Sequence, residues 1–409
     1  MKQVNTDVVI IGAGIIGLAF AYRLKQDQPQ TSIVILEKET SIGKHASGRN
    51  SGVLHSGIYY KKGTLKAQLC AKGAKQLNQF CQSHQLECRK IGKVIVPMEV
   101  SDDQGVDTLY ERGKANGVNV EIIDEQRLKK LEPEARTASG RALHLPDTSV
   151  VNPKAVIQTL LAHLEKQGVT VLYDTSIDNI DAEKNSVTTN HGKMCYQQLI
   201  NSAGAYADRV AKSAGLKHDY LMMPFRGVYF KVVGDIAKQL HHLIYHVPNL
   251  EMPFLGVHTT TSVDGSVYLG PTAMPSFGRE NYDGITNLNF SDTAETFKHI
   301  AGMYCRNTQG VRQHMHYESQ TLLFKKHLLA RMQKLVPNLR LENIQACTKR
   351  GIRPQLFDKT KKALVMDFVV EKQGNTIHVL NAISPAFTSS FAFVEHVLSS
   401  TKERECEFS

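Results

Sequence analysis

Three residues in this chain combine a reactive side chain with a setting suited to proton transfer on a small anion: His55, His258 and Arg353. An imidazole titrates near neutral pH, so either histidine could take a proton from a bound substrate. His55 ends the small, hydroxyl-rich run Asn50-Ser51-Gly52-Val53-Leu54-His55, which continues as Ser56-Gly57-Ile58-Tyr59-Tyr60. His258 follows Pro253-Phe254-Leu255-Gly256-Val257. Arg353 stands in Gly351-Ile352-Arg353-Pro354, and its planar guanidinium matches a carboxylate through two parallel hydrogen bonds. Tyr59, Tyr60, Arg226, Tyr245, Lys349 and Arg350 form the pool from which further polar contacts to such an anion could come.

A base and a carboxylate clamp become an oxidising site only beside an electron acceptor, and the N-terminal segment provides a place for one. The apolar strand Asp7-Val8-Val9-Ile10-Ile11 runs into Gly12-Ala13-Gly14-Ile15-Ile16-Gly17, then a helix, then a second strand ending at Glu37. Gly12 lets the chain turn, Gly14 removes a side chain that would block a pyrophosphate, and Gly17 lets helix and strand pack closely. The free N–H groups at the helix start, near Ile15, suit a dinucleotide pyrophosphate. Glu37, with Lys38 beside it, is placed for the ribose hydroxyls, and its negative charge argues against NADP.

Two further small-residue segments have the texture of backbone running close to a large ligand. One carries Ser47, Asn50 and Ser51; the other is the strand-to-helix turn Asn201-Ser202-Ala203-Gly204. Near the C-terminus, Gly351 and Ser384-Pro385-Ala386-Phe387-Thr388-Ser389 return to the same region. Thr388 or Ser389 is expected to cap a final helix whose N-terminus faces an electron-rich ring edge.

Between these segments the chain alternates in texture. Helices are expected over Leu65 to Cys81, Gly105 to Asn116 and Pro153 to Gly168, with strands at Lys93 to Val96, Val118 to Ile123, Val169 to Tyr173 and Thr376 to Asn381. The stretch from Met223 to about Arg340 reads as sheet and is expected to complete the sheet begun by the first insertion. The expected organisation is a nucleotide domain of residues 1–82, 147–220 and 346–409, and a substrate domain of residues 83–146 and 221–345.

Composition narrows the partners. No stretch of eighteen apolar residues is present and strand residues begin at once, so the expectation is a cytoplasmic protein, neither exported nor membrane-spanning. Seven scattered cysteines without zinc spacing point to a reducing compartment and to no metal. The net charge of +10 comes with no nucleic-acid motif; peripheral contact with an anionic membrane surface, and hence with a quinone, stays open.

The fingerprint, the Asn50–Tyr60 run, Asn201-Ser202-Ala203-Gly204-Ala205-Tyr206-Ala207-Asp208, Pro224-Phe225-Arg226-Gly227, Pro253–His258, Asp264-Gly265-Ser266-Val267-Tyr268-Leu269-Gly270-Pro271, Gly351–Gln355 and Ser384–Ser390 occur in this order along nearly the whole chain. Together they resemble the FAD-dependent D-amino-acid oxidase superfamily, and within it the L-2-hydroxyglutarate oxidases and dehydrogenases. The resemblance implies an α/β fold: a discontinuous, Rossmann-like (glutathione-reductase-like) FAD domain and a substrate domain with a mostly antiparallel sheet. It implies FAD held by Gly12, Gly14, Ile15, Gly17, Glu37, Lys38, Ser47, Asn50, Ser51, Ala203, Gly204, Gly351, Ala386, Phe387 and Thr388. It also implies oxidation of a small dianionic 2-hydroxy acid, L-2-hydroxyglutarate, with electrons passed to oxygen or a quinone.

Arg49, Val228 and Pro354 depart from the family pattern, which usually has histidine, an acidic residue and alanine there. The Arg-Pro pair resembles that of flavin glycerol-3-phosphate dehydrogenases. His45 matches a position where sarcosine and dimethylglycine dehydrogenases carry a histidine covalently joined to flavin. The alternative substrates are therefore an amino acid or glycerol 3-phosphate. An alternative of another class is a non-catalytic flavoprotein or a tRNA-modification partner.

Overall fold

The computed structural model describes residues 4–250, 254–284 and 286–406, so Pro253 of the His258 motif lies outside the described residues. The strand Val4–Ile11 is the centre of the first sheet. It pairs in parallel with Ile33–Leu36 on one side and Gly192–Asn201 on the other. Thr170–Leu172 and Thr376–Asn381 extend the parallel set outward, and antiparallel strands complete an eight-stranded sheet. Apolar runs such as Val8-Val9-Ile10-Ile11 are buried on both faces, as a parallel sheet covered by helices requires.

Four helices cover this sheet or pack against one another: Ile15–Asp27, Leu65–Ser83, Pro153–Lys166 and Ala386–Cys406. Thr64 caps the second by accepting the Ala67 N–H at 3.3 Å, and Asn152 caps the third just before Pro153. Thr388 and Ser389 are not caps, because the last helix already begins at Ala386. Thr388 instead ties its first turn to the His55 segment: its hydroxyl donates to Val53 O and accepts the His55 N–H, each at 3.2 Å.

The second insertion does complete the sheet begun by the first. Leu243–His246 pairs in parallel with Lys93–Val96, which continues into Arg141–Leu145 and Glu121–Asp124. A six-stranded sheet is built around the long antiparallel pair Tyr220–Val232 and Ile344–Asp358, the latter straddling the boundary expected at residue 346. The expectation of sheet to about Arg340 fails over its last third. Phe290–Arg306, Val311–Leu323 and Lys325–Met332 are helices. Asn289 caps the first of them, and the buried positions Thr296, Ile300 and Met303 repeat at helical spacing.

Six cysteines are free thiols; the side chain of Cys406 lies outside the described ones. No described helix is long and apolar enough to cross a membrane.

The contact between the helices Leu65–Ser83 and Ala386–Cys406 depends on Gly73. A Cβ there would lie 2.5 Å from Ser389 Cα and 2.6 Å from Thr388 O. Gly73→Ala is therefore expected to destabilise the protein by ~1–3 kcal/mol through overpacking against backbone, read as a lowered thermal midpoint. An unchanged midpoint would show that these helices do not depend on close approach.

Candidate active site

One cavity of about 710 Å³ runs from the glycine turn to Arg353. At its first end, Gly12 takes φ +98°, and a Cβ on Gly17 would lie 2.1 Å from Gly12 O and 2.8 Å from Ser202 Oγ. Gly17 thus serves packing and is not in the wall, whereas Gly12, Gly14 and Ile15 line it. A Cβ on Gly14 would stand 3.0 Å from Ser47 Oγ, which itself accepts the Ile15 N–H at 2.9 Å. Glu37 is held by two backbone donors, Ala13 N–H at 2.9 Å and Glu39 N–H at 3.0 Å, with its carboxylate at the cavity edge. Lys38, Asn50, Ser51, Ala203, Gly204, Gly351, Ala386, Phe387 and Thr388 complete this part of the wall. Glycines stripped of Cβ, a positioned acid beyond the second strand and a helix N-terminus form a cradle that fits FAD.

His45 lines the same cavity, and both ring nitrogens are engaged: Nδ1 with Tyr282 Oη at 2.8 Å and Nε2 with Glu39 at 2.9 Å. Glu39, His45 and Glu280 bring three ligand atoms together, but Lys38 bridges the two carboxylates and supplies the compensating charge.

At the other end, His55, His258, Arg353, Tyr59, Tyr60 and Tyr245 all line the wall. Strand alternation explains part of this convergence. Arg353 pairs across the ladder with Phe225, so the two share a face, and Gly227 and Tyr229 continue it. The same alternation turns Arg226 away. It pairs with Ile352, reaches Asn281 at 3.4 Å and is not in the cavity wall, so the structure does not bring it together with the other expected substrate contacts.

His258 stacks on Tyr245 with ring centroids 3.8 Å apart, and its Nδ1 lies 2.8 Å from Gly256 O. A carbonyl only accepts, so Nδ1 carries the proton and Nε2 keeps its lone pair. Burial, reinforced by the Lys93 and Arg353 charges, lowers the His55 pKa to about 3; burial likewise lowers that of His258 to about 3. Both imidazoles are therefore neutral bases near pH 7. Arg353 lies 5.2 Å from the Phe254 ring centroid, and among the described residues its guanidinium has no hydrogen bond or ion pair.

Sequence reasoning missed Lys66, Lys93, Tyr229 and His246. Lys66 falls on the buried stripe of its helix with Cys70, Gly73 and Leu77, and Lys93 opens an otherwise apolar strand. A lysine on an apolar stripe was the available signal. Lys93 is fully buried with no hydrogen-bond partner for its ammonium, which stands 4.9 and 5.0 Å from the Tyr59 and Tyr245 ring centroids.

The buried neutral histidines link stability to pH. His55, His246 and His258 have pKa values lowered to about 3 in the folded protein, so the unfolded chain takes up their protons first, near pH ~6.5. Stability is expected to fall as the pH drops below ~6.5, seen as a declining thermal midpoint that His246→Gln makes shallower. A midpoint independent of pH between 7 and 5 would contradict the burial of these rings.

Comparison with known proteins agrees with this geometry. The family model for FAD dependent oxidoreductases matches residues 7–397. L-2-hydroxyglutarate dehydrogenase of Escherichia coli K12 is 34% identical over 401 residues, 96% of this chain and 92% of that protein. The human mitochondrial L-2-hydroxyglutarate dehydrogenase is 34% identical over 97% of this chain and 89% of its own length. Among solved structures, FAD-bound L-alpha-glycerophosphate oxidase of Mycoplasma pneumoniae superposes with a TM-score of 0.75 at 23% identity, covering 97% of this chain and 94% of that one. Glycine oxidase of Geobacillus kaustophilus gives 0.71 at 16% identity, covering 98% and 95%. With the cradle, the second sheet and the match over most of its length, this chain belongs to the DAO family of FAD-dependent oxidoreductases.

Proposed function

We propose that the protein oxidises L-2-hydroxyglutarate to 2-oxoglutarate. The observation that carries this reading is Arg353, desolvated and without a hydrogen bond or ion pair among the described residues, beside two neutral imidazoles in the wall of the FAD cavity. Relatives of known name over nearly the full length support the choice of substrate. FAD, when bound, supplies the acceptor for a hydride. The chain's own part is to hold the acid, take the hydroxyl proton and exclude water.

Arg353 pairs with the carboxylate next to the reacting carbon, which fixes the hydroxyl and the carbon–hydrogen bond relative to the wall. His55 takes the hydroxyl proton. Its neutral state at working pH follows from burial, and the electron pair left on oxygen becomes the new carbonyl as the hydride departs. His258 Nε2 is the rival acceptor, already fixed in tautomer by Gly256. Oxygen or a membrane quinone then removes the electrons. The quinone reading is favoured by exposed Leu323 and Phe324 immediately ahead of Lys325 and Lys326, a basic and apolar edge suited to an anionic lipid surface.

Anaerobic mixing of the yellow protein with L-2-hydroxyglutarate, D-2-hydroxyglutarate, glycerol 3-phosphate and amino acids tests the substrate. Bleaching by the L-hydroxy acid alone is expected; bleaching only by another compound would move the assignment to it, and bleaching by none would favour a non-catalytic role. Arg353→Met is expected to raise KM on the order of a hundredfold with flavin retained, and unchanged kinetics would remove Arg353 from the site. His55→Asn should lower kcat far more than His258→Asn; the reverse order would make His258 the base.

A further inference from the structure

The cations that the sequence offered for a second carboxylate, and Lys93 with them, are turned away or engaged. Arg226 lies on the face opposite Arg353. Arg350 is ion-paired with Asp283. Lys349 stands 5.2 and 4.3 Å from the Tyr229 and Tyr268 ring centroids, with Nζ 3.4 Å from Ser262 Oγ, and is not in the cavity wall. Lys93 is sealed behind Tyr59 and Tyr245.

Lys66 differs from all of these. It is the second residue of the helix Leu65–Ser83, only 5% exposed, yet it lines the same cavity as Arg353 and Tyr60. Among the described residues its ammonium makes no hydrogen bond or ion pair. Its nearest aromatic faces are those of Tyr60 and Phe368, at 5.7 and 5.9 Å. The nearby carboxylate, Asp367, is used to cap the helix, accepting the N–H groups of Leu65 at 2.8 Å, Lys66 at 3.1 Å and Phe368 at 2.9 Å. Burial lowers the Lys66 pKa to about 8, the mark of an ammonium short of compensating charge. Glu37, at the nucleotide end, is the only carboxylate residue in the described cavity wall, so beyond the through-space attraction of Asp367 a direct anionic partner for Lys66 within the cavity comes from the ligand.

We propose that Lys66 binds the second carboxylate of the substrate while Arg353 holds the first, so that the cavity selects dicarboxylic 2-hydroxy acids over monocarboxylic ones. This rests on the reading of the cavity as a 2-hydroxy-acid site. A monoacid entering such a site leaves the buried ammonium bare, which is a strong basis for rejection.

Titrating the oxidised holoenzyme with glutarate and with pentanoate, followed by perturbation of the flavin spectrum, tests this without turnover. Wild type is expected to bind glutarate at least ~tenfold more tightly. Lys66→Met should weaken glutarate roughly ten- to a hundredfold and leave pentanoate within about twofold. Lys66→Gln gives the same readout if the methionine variant yields no holoenzyme. A glutarate preference that survives loss of the charge, equal weakening of both acids, or no preference in wild type would each overturn the proposal. If L-2-hydroxyglutarate fails to bleach the flavin while loss of Lys66 erases the glutarate preference, the subsite stands and the oxidation reading falls.

Discussion

The desolvated guanidinium of Arg353 is the constraint around which the rest of the site is arranged. A desolvated cation without a direct ion pair is unfavourable by several kcal/mol in order of magnitude, and the chain tempers that cost with the charge of the buried Glu318 carboxylate, polarisable rings and neutral imidazoles. Tyr60, Tyr229 and Phe254 face it, and burial together with the Lys93 charge keeps His55 and His258 neutral, so that they add no further repulsion. On the proposed function, an incoming carboxylate would offset that cost and make the anion part of the completed site.

Two sets of elements bring the reacting groups together. The antiparallel pair Tyr220–Val232 and Ile344–Asp358 aims Arg353 and Tyr229 at the cavity by alternation. The segment leading to His55 is fixed from the other side, where Thr388 hydrogen-bonds both Val53 and His55. The first turn of the last helix is thus joined directly to His55, and the contact at Gly73 holds that helix against the one carrying Lys66.

The nucleotide half was largely legible in the sequence because glycine has positional requirements that a sequence displays. Gly12 at positive φ, Gly14 beside Ser47 and Gly17 against Gly12 O each stand where the local pattern put them. His55, His258 and Arg353 also reach one cavity, as expected from their motifs. The failures came where long-range packing decides. Arg226 and Arg353 lie on opposite faces of one ladder, a fact set by register between strands far apart in sequence. The helices between residues 290 and 332 carry a helical spacing of apolar residues that an extension of the preceding strand texture passed over, and Thr388 traded a capping role for a bond to a distant strand. Lys66 was visible on a buried helical stripe, but only the cavity shows what it faces.

The central claim is that an anionic hydroxy acid sits against FAD with its reacting end on Arg353 and beside His55 and His258. A crystal structure of the oxidised holoenzyme with 2-oxoglutarate bound tests it most directly. The account predicts the product's 1-carboxylate on the Arg353 guanidinium and its keto oxygen within hydrogen-bonding distance of one of the two imidazoles. Product bound elsewhere, or Arg353 paired with a protein carboxylate while product occupies the cavity, would contradict it.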